Sequence, residues 1–214
     1  MDTYSKDTSD FLSRAYALNS VAGAQTLYNE WAESYDTYLD REGYAFPERA
    51  VQVLLKATQR ETLDGSVKVL DAGCGTGRVG AVLAQKGARQ IDGIDLSPGM
   101  LAQAEKSHNY ASLQEVDLTK TIPRPDESYD VVICVGTLTQ GHVGPAVLDE
   151  FVRVVKVGGV VVATIPDTVW EAAGFSAKID QLLHDGRVAL LRSDAVGILK
   201  TTTSGARILA LERK

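Results

Sequence analysis

The sequence predicts one α/β domain in which a mostly parallel, seven-stranded sheet carries helices on both faces. The main observation is a change of rhythm after about residue 60, where short apolar segments begin to alternate with helical ones, as in βαβ units. Two of these segments, 129–135 and 160–165, are almost continuously apolar, which is typical of strands buried on both faces. The length of 214 residues suits one such domain rather than two.

The N-terminal region precedes this rhythm and has a helical pattern from Phe11 to about Leu39. The pattern is interrupted just before Ser20, whose side chain can cap a new helix. Trp31, Tyr35 and Tyr38 follow at spacings that place them on one face of that helix. We interpret this face either as a stripe that packs on the core or as a lid over a ligand.

The alternating region opens with a helix predicted over 47–60, in which Pro47 suits the first turn. Seven strands are predicted after it, at 67–71, 90–95, 113–116, 129–135, 160–165, 188–192 and 207–211. Helices are predicted between them at 78–86, 98–106, 145–155 and 170–184. The last two strands are expected to pair as an antiparallel hairpin at one sheet edge. The chain thus divides into an N-terminal helical cap over 1–45 and a compact domain over 46–214.

Charge and composition argue against several classes of function. The chain has 28 acidic and 22 basic residues, and the basic ones form no cluster of the kind that binds a phosphate backbone. No apolar stretch reaches the length of a membrane span, and the polar start lacks the pattern of a signal peptide. Cys74 and Cys134 are too few for a disulfide scaffold or a structural zinc site. We therefore expect a cytoplasmic protein without a metal site, a nucleic-acid partner or a membrane partner.

A glycine-rich turn joins the first predicted strand to its helix, with the sequence Val69-Leu-Asp-Ala-Gly-Cys-Gly-Thr-Gly77. Glycines let the main chain turn sharply and let a ligand approach it closely. The helix that follows presents free N–H groups at its N-terminus, which suits a phosphate or a carboxylate. Gly75, Gly77 and Gly80 also spell G-x-G-x-x-G, so a dinucleotide site remains open at this point.

Two carboxylates follow the ends of later strands. Asp95 ends the second predicted strand, where it can accept hydrogen bonds from both hydroxyls of an adenosine ribose at the carboxyl edge of the sheet. Asp117 follows the third strand and can accept from an adenine amino group while Leu118 packs on the ring. With the glycine-rich turn at the same edge, these residues predict a nucleoside site.

Taken in order, these motifs resemble those of class I S-adenosylmethionine (SAM)-dependent methyltransferases, which have a Rossmann-like sheet. The resemblance rests on five segments: Leu70–Gly77, Gly93–Leu101, Val116–Leu118, Tyr129–Val135 and Leu148–Gly159. Val157 stands where the family usually has proline, but a turn can still form on the two glycines that follow it. The resemblance implies SAM as the cofactor and S-adenosylhomocysteine (SAH) as its product.

Two further segments are similar to those of small methyltransferase-like proteins, Tyr28–Asp36 before the domain and Gly136–Val143 after the fourth strand. In such relatives the N-terminal helix closes over the cofactor, and a tyrosine contacts its methionine end. The resemblance implies the following cofactor contacts in this chain: Tyr28, Tyr35, Asp71, Gly73, Cys74, Gly75, Asp95, Leu96, Met100, Asp117, Leu118, Val135 and Gly136.

The implied reaction is methyl transfer to an oxygen, nitrogen or carbon nucleophile of a small organic molecule. The fourth strand lacks the Asn/Asp-Pro-Pro-Tyr/Phe motif of enzymes that methylate amino groups of adenine or glutamine. His142, in the loop after that strand, is the candidate general base. Trp170 and Phe175 are candidates for an apolar wall of the acceptor pocket. The protein is expected to be a monomer or a homodimer.

Two other classes of function stay open. A cyclase, an isomerase or a regulatory binding module would use the same SAM site without transferring the methyl group. An NAD-dependent oxidoreductase would explain Gly75–Gly80 and Asp95. It would explain neither Asp71 nor the motifs later in the chain.

Overall fold

The computed structural model describes residues 14–15, 18, 20–139 and 143–214, and its strands form one seven-stranded sheet in the order β3-β2-β1-β4-β5-β7-β6. The strands are β1 (Lys68–Ala72), β2 (Gln90–Asp95), β3 (Ser112–Glu115), β4 (Tyr129–Cys134), β5 (Val155–Pro166), β6 (Val188–Gly197) and β7 (Gly205–Arg213). Strands β1 to β5 pair in parallel, whereas β7 pairs antiparallel with both β5 and β6. The predicted sheet and its C-terminal hairpin are therefore confirmed.

The helices of the described residues match the predicted order but not every boundary. They are α1 (Val21–Glu42), α2 (Phe46–Ala57), α3 (Arg78–Gln85), α4 (Pro98–Glu105), α5 (Val147–Val154), α6 (Asp167–Trp170) and α7 (Phe175–His184). The single helix predicted over 170–184 is wrong. Gly174 adopts a left-handed conformation with φ of 82°, which a continuous helix does not accommodate, and the chain therefore forms α6 and α7 separately.

The fifth strand also differs from its prediction, because it begins at Val155 rather than near residue 160. The turn expected on the two glycines becomes an irregularity inside the strand, where Gly158 has a φ of 76°. The pairing register with β4 shifts at this point. A bulge of this kind inserts extra residues into one strand without ending it, so the pairing resumes at Val160.

Local capping explains where α1 begins and ends. Ser20 has extended backbone angles and its side chain accepts a hydrogen bond from the Gly23 N–H at 3.2 Å, as predicted. Gly43 closes the helix in a left-handed conformation with φ of 70°, and its N–H donates to the Asp40 carbonyl. The part of the predicted helix before residue 14 lies outside the described residues.

Both faces of the sheet are buried. Successive side chains of each central strand point to opposite faces, and helices pack on each face. On one face Val69 and Ile133 pack with residues of α2 and α3. On the other face Leu70, Val132 and Cys134 pack with residues of α5 and α7. In the described part of the chain, no helix has both the length and the apolar character needed to cross a membrane.

Candidate functional site

The glycine-rich turn after β1 is held against the end of β2. The N–H groups of Gly73 and Cys74 both donate to the Ile94 carbonyl, at 2.7 and 3.0 Å. Gly73 has a φ of 77°, and a Cβ added there would lie 2.2 Å from Thr137 Oγ1. Only glycine fits at this position, because both the backbone angle and the close approach of Thr137 exclude a side chain.

An open cavity of about 110 Å³ lies beyond this turn, at the carboxyl ends of β1 to β4 and under α1. We call it the first cavity. All predicted cofactor contacts except Asp71 and Cys74 line it: Tyr28, Tyr35, Gly73, Gly75, Asp95, Leu96, Met100, Asp117, Leu118, Val135 and Gly136. Sequence reasoning missed Val21, Ala24 and Thr137, whose residue types are common in any packed core.

Asp95 is fixed in the wall of the first cavity by two main-chain donors. Its Oδ2 accepts from the Gly75 N–H and its Oδ1 from the Ser97 N–H, both at 2.9 Å. Burial raises the pKa of Asp95, while these hydrogen bonds lower it. Each carboxylate oxygen keeps a further lone pair that can accept from a ligand hydroxyl.

Asp117 is held in a turn at the neighbouring part of the same wall. Its Oδ1 accepts from the main-chain N–H and the hydroxyl of Thr119, at 2.9 and 2.6 Å, and Lys120 Nζ lies 3.3 Å from Oδ2. Burial opposes ionisation, but the Thr119 hydrogen bonds and Lys120 bring the pKa of Asp117 below its ordinary value. Beside it, Leu118 is buried and offers the cavity an apolar surface.

Asp71 and Cys74 do not line the first cavity, contrary to the expected direct contact. Asp71 is fully buried behind the glycine-rich turn, where its Oδ2 accepts from the Tyr110 hydroxyl at 2.7 Å. Its Oδ1 has no hydrogen-bond partner among the described residues. Burial raises the pKa of Asp71 to about 7. The side chain therefore supports the turn from behind rather than facing a ligand.

Gly80, the last glycine of the G-x-G-x-x-G pattern, has a packing role. A Cβ added there would lie 2.4 Å from the Tyr110 ring, and its N–H donates to the Tyr110 hydroxyl at 3.2 Å. Gly80 does not line the first cavity. The pattern at Gly75–Gly80 thus arises from packing against Tyr110 as much as from ligand approach.

The first half of α1 is bonded to the connection between β2 and α4. Gln25 Nε2 donates to the Leu96 carbonyl at 2.9 Å. Asn29 Oδ1 accepts from the Ser97 hydroxyl at 2.6 Å and from the Gly99 N–H at 2.9 Å. These bonds hold α1 over the side of the first cavity that carries Asp95.

The second half of α1 is bonded to the start of α3. Asp36 Oδ1 accepts from the Thr76 hydroxyl at 2.6 Å, and Arg78 Nη2 lies 2.5 Å from Asp40 Oδ1. Because α1 is attached on both sides of the glycine-rich turn, it forms a roof over the first cavity. Tyr28 and Tyr35 of this helix line that roof.

A second, larger cavity of about 490 Å³ continues from the first. Tyr28, Tyr35 and Gly136 line both cavities, and they therefore mark the junction between them. The walls of the second cavity come mainly from α1, from the start of α2 and from the connection between β6 and β7. The residues that line it, besides the three at the junction, are Ala15, Trp31, Tyr38, Leu39, Glu42, Tyr44, Phe46, Thr139, Pro166, Thr168, Ile198, Leu199, Thr202, Ser204 and Gly205.

The apolar wall expected from Trp170 and Phe175 is wrong. Phe175 is 1% exposed and packs in the core beneath the sheet. Trp170 packs against the same core, and the Arg207 guanidinium lies 4.2 Å from its ring centre. Sequence reasoning could not distinguish these core positions from a pocket wall, because large apolar residues suit both.

The candidate base His142 lies outside the described residues, and its role stays a prediction. Among the residues that are described, no group of three or more His, Cys, Asp or Glu side chains is arranged to hold a metal ion. The described groups that border the junction are tyrosine hydroxyls and main chain. Burial raises the pKa of Tyr35 above its ordinary value, with Asp95 and Asp36 adding to the shift.

Comparison with known proteins agrees with this geometry. A family model described as a methyltransferase domain matches residues 69–159. Methyltransferase-like protein 27 of Homo sapiens is 36% identical over 154 residues, a match that spans 70% of this chain and 60% of the human protein. The chain therefore covers less than two thirds of that relative's length.

Two solved structures have the same fold. Magnesium protoporphyrin IX methyltransferase from Synechocystis PCC 6803, solved with bound SAH, aligns with a TM-score of 0.62 and 21% identity over 89% of this chain and 99% of that one. The cyclase SpnF aligns with a TM-score of 0.66 and 18% identity over 92% of this chain and 97% of its own. The predicted Rossmann-like class is confirmed.

Proposed function

We propose that the chain is a class I SAM-dependent methyltransferase, as its matches to a methyltransferase-domain model and to methyltransferase-like protein 27 support. In this proposal it transfers the methyl group of SAM to an oxygen, nitrogen or carbon atom of a small organic molecule. These similarities support SAM as the cofactor rather than NAD, so the NAD-dependent alternative is set aside. The observation that carries the proposal is the junction of the two cavities at Tyr28, Tyr35 and Gly136. One cavity has the groups that suit SAM, and the other gives an acceptor access to it.

The lining of the first cavity fits the cofactor part by part. Asp95 is placed to accept the ribose hydroxyls, and Asp117 with Leu118 to hold the adenine. Gly75 leaves room for the methionine portion to lie against the main chain, since an added Cβ there would meet no atom within 4 Å. Tyr28 and Tyr35 cover that portion from α1, so the cap over 1–45 acts as a lid in this proposal.

Methyl transfer requires mainly that the acceptor atom lies in line with the methyl carbon and its sulfur. The acceptor atom forms a bond to the methyl carbon while the carbon–sulfur bond breaks and leaves its electron pair on sulfur. A proton on the acceptor atom passes to water or to His142. Tyr35 stays protonated at neutral pH and can only orient the acceptor, since its pKa is raised.

A SAM-binding protein that does not transfer methyl groups remains the second candidate. The fold similarity to a cyclase is the observation that keeps it open, although at 18% identity this similarity concerns the fold alone. Release of SAH on incubation with SAM and candidate acceptors separates the two, because a cyclase or a regulatory module would consume no SAM. A small-molecule acceptor, a monomeric or homodimeric state and a cytoplasmic location belong to the proposal.

Calorimetric titration with SAH tests the cofactor site directly. Asp95→Ala removes charge-assisted hydrogen bonds that are each worth about 1.5–3 kcal/mol. We expect SAH affinity to fall at least about tenfold. Asp92→Ala is the matched control: Asp92 lies on the same strand, bonds to Tyr129 and Ser112, and does not line the first cavity. Unchanged affinity in a folded Asp95→Ala protein would contradict the ribose placement.

A further inference from the structure

The walls of the second cavity are strongly aromatic. Trp31 and Tyr38 lie with ring centres 5.4 Å apart, and Tyr44 and Phe46 form a second pair at 5.3 Å. Ile198 adds an apolar side chain to the lining. Aromatic rings offer large, rigid contact surfaces that favour stacking with another flat ring. A cavity built this way suits a planar, apolar compound better than a flexible polar chain.

Charge is scarce on these walls. Among the described residues that line the second cavity, Glu42 is the only ionised side chain, and no lysine or arginine lines it. Glu42 is exposed and lies 3.2 Å from Arg41 Nε, so its charge is already paired and solvated. An acceptor with a carboxylate or a phosphate would lose hydration in this cavity without gaining a cationic partner.

Tyr44 places one polar group at the inner end of the cavity. Gly136 has a φ of 74°, and a Cβ added to it would lie 2.5 Å from Tyr44 Oη. The Tyr44 hydroxyl therefore reaches the junction only because residue 136 has no side chain. Burial, with Tyr35 and Tyr28 nearby, raises the pKa of Tyr44 well above its ordinary value. At neutral pH it is a neutral hydroxyl that can both donate and accept.

We propose that the second cavity binds an uncharged aromatic acceptor, with its ring among Trp31, Tyr38 and Phe46 and its hydroxyl or amino group against Tyr44 at the junction. This inference rests on the proposed function and names the substrate class of the same site. The acceptor atom gains the methyl group, the carbon–sulfur bond breaks with its electrons on sulfur, and the acceptor proton is released to water. Tyr44 acts as a positioning residue through one hydrogen bond.

The test compares two probes with the same ring and different charge, 2-naphthol and 2-naphthoate. The intact protein is first titrated with SAH by calorimetry, and each probe is then titrated into the SAH complex at pH 7. We expect 2-naphthol to bind at least tenfold more tightly than 2-naphthoate. SAH is used rather than SAM, so that binding is measured without turnover.

A charge placed on the wall provides the matched variant. Thr168 is exposed and lines the second cavity, so Thr168→Arg adds a cation there without disturbing the core. We expect 2-naphthoate to bind at least fivefold more tightly to Thr168→Arg than to the unmodified protein. Thr201→Arg introduces the same change at an exposed residue that does not line the cavity, and it should leave both probes unaffected.

The outcomes separate the two proposals. Failure of SAH to bind would contradict the proposed function, because that titration concerns the first cavity alone. If SAH binds but 2-naphthoate binds as tightly as 2-naphthol, or if neither probe binds, the aromatic-acceptor inference is wrong. An unchanged 2-naphthoate affinity in Thr168→Arg would also overturn it, since the probe would then bind elsewhere.

Discussion

The two cavities lie side by side but are built in different ways. The first is made by main-chain turns, such as the one at Gly73, and by short acidic side chains at or just after strand ends, those of Asp95 and Asp117. The second is made by large side chains from α1 and α2 and by the connection between β6 and β7. The residues of the second cavity are far apart in the sequence. Tyr44, for example, forms an isolated antiparallel β-bridge with Leu199.

The comparison indicates that the first cavity depends on backbone conformation and the second on side-chain packing. In the first cavity a single added Cβ is enough to disturb the lining, because the main chain itself is the wall. In the second cavity the walls are side chains that can be exchanged one at a time. We expect substitutions to affect the first cavity through strain and the second through charge and shape.

The largest effect is expected from Gly73→Ala. A non-glycine residue at this φ costs about 1–2 kcal/mol, and displacement of Thr137 raises the total to about 3 kcal/mol. Because Thr137 lines the first cavity, SAH affinity should fall along with stability. Urea denaturation and calorimetry measure the two effects.

Gly158→Ala is the control that isolates the clash. Gly158 has a φ of 76°, close to that of Gly73, but an added Cβ there meets no atom within 4 Å. We expect a stability loss of about 1–2 kcal/mol and unchanged SAH affinity. Equal effects of the two substitutions on SAH affinity would mean that the first cavity does not depend on close approach at Gly73.

A second prediction concerns Asp71, which is buried behind the glycine-rich turn and does not line the first cavity. A substitution there should change stability without changing ligand binding. Its pKa rises from an ordinary 3.8 to about 7 because the carboxyl group is buried. The folded state thus favours the protonated form, and stability from this group is lost as pH rises toward and through about 7. Between pH 5 and pH 8 the loss should be about 2.7 kcal/mol, because about two pH units of this titration fall in that interval.

The Asp71→Asn protein has no carboxyl group at this position. Its stability should therefore lack this part of the pH dependence. Urea denaturation at pH 5 and pH 8 compares the two proteins, and the substituted one should be less sensitive to the change. SAH affinity at pH 7 should be nearly unchanged, since Asp71 does not line the first cavity. An identical pH dependence in both proteins would show that Asp71 is ionised throughout, and a large loss of SAH affinity would restore it as a cofactor contact.

The smallest change in free energy is expected from Asn29→Ala. Asn29 lies on α1, which lines both cavities. The substitution leaves the Ser97 hydroxyl and the Gly99 N–H without the Asn29 acceptor. The attachment of α1 should weaken by about 1 kcal/mol, or roughly fivefold in SAH affinity. Affinity for 2-naphthol should fall by a similar factor, because α1 walls both cavities.

Glu33→Ala is the control on the same helix, since Glu33 is exposed and lines neither cavity. It should leave both affinities unchanged. A loss confined to SAH in Asn29→Ala would mean that Asn29 acts through the loop at Ser97 rather than through the position of α1.

Much of the fold and of the first cavity could be predicted from the sequence. The period of apolar residues identified the seven strands, and Gly73, Asp95 and Asp117 were recognisable because each lies at or just after a strand end. Parallel strands bring their carboxyl ends to one edge, so residues that are distant in sequence become neighbours by a general rule. The role of Ser20 as a helix cap was also predictable from the sequence, because a cap acts within one turn of its helix.

The tertiary structure decided the rest. Asp71 carries the family motif yet lies behind the turn, because Tyr110 and Gly80 pack there and bury it. Trp170 and Phe175 pack against the core, whereas Tyr44 and Ile198 form the second cavity. No local pattern distinguishes a core position from a cavity wall. The hydrophobic effect is non-directional, so an apolar side chain is buried wherever the folded chain leaves room for it. Local sequence patterns were therefore enough to identify the turns that line the first cavity, whereas the shape of the second cavity depends on long-range packing.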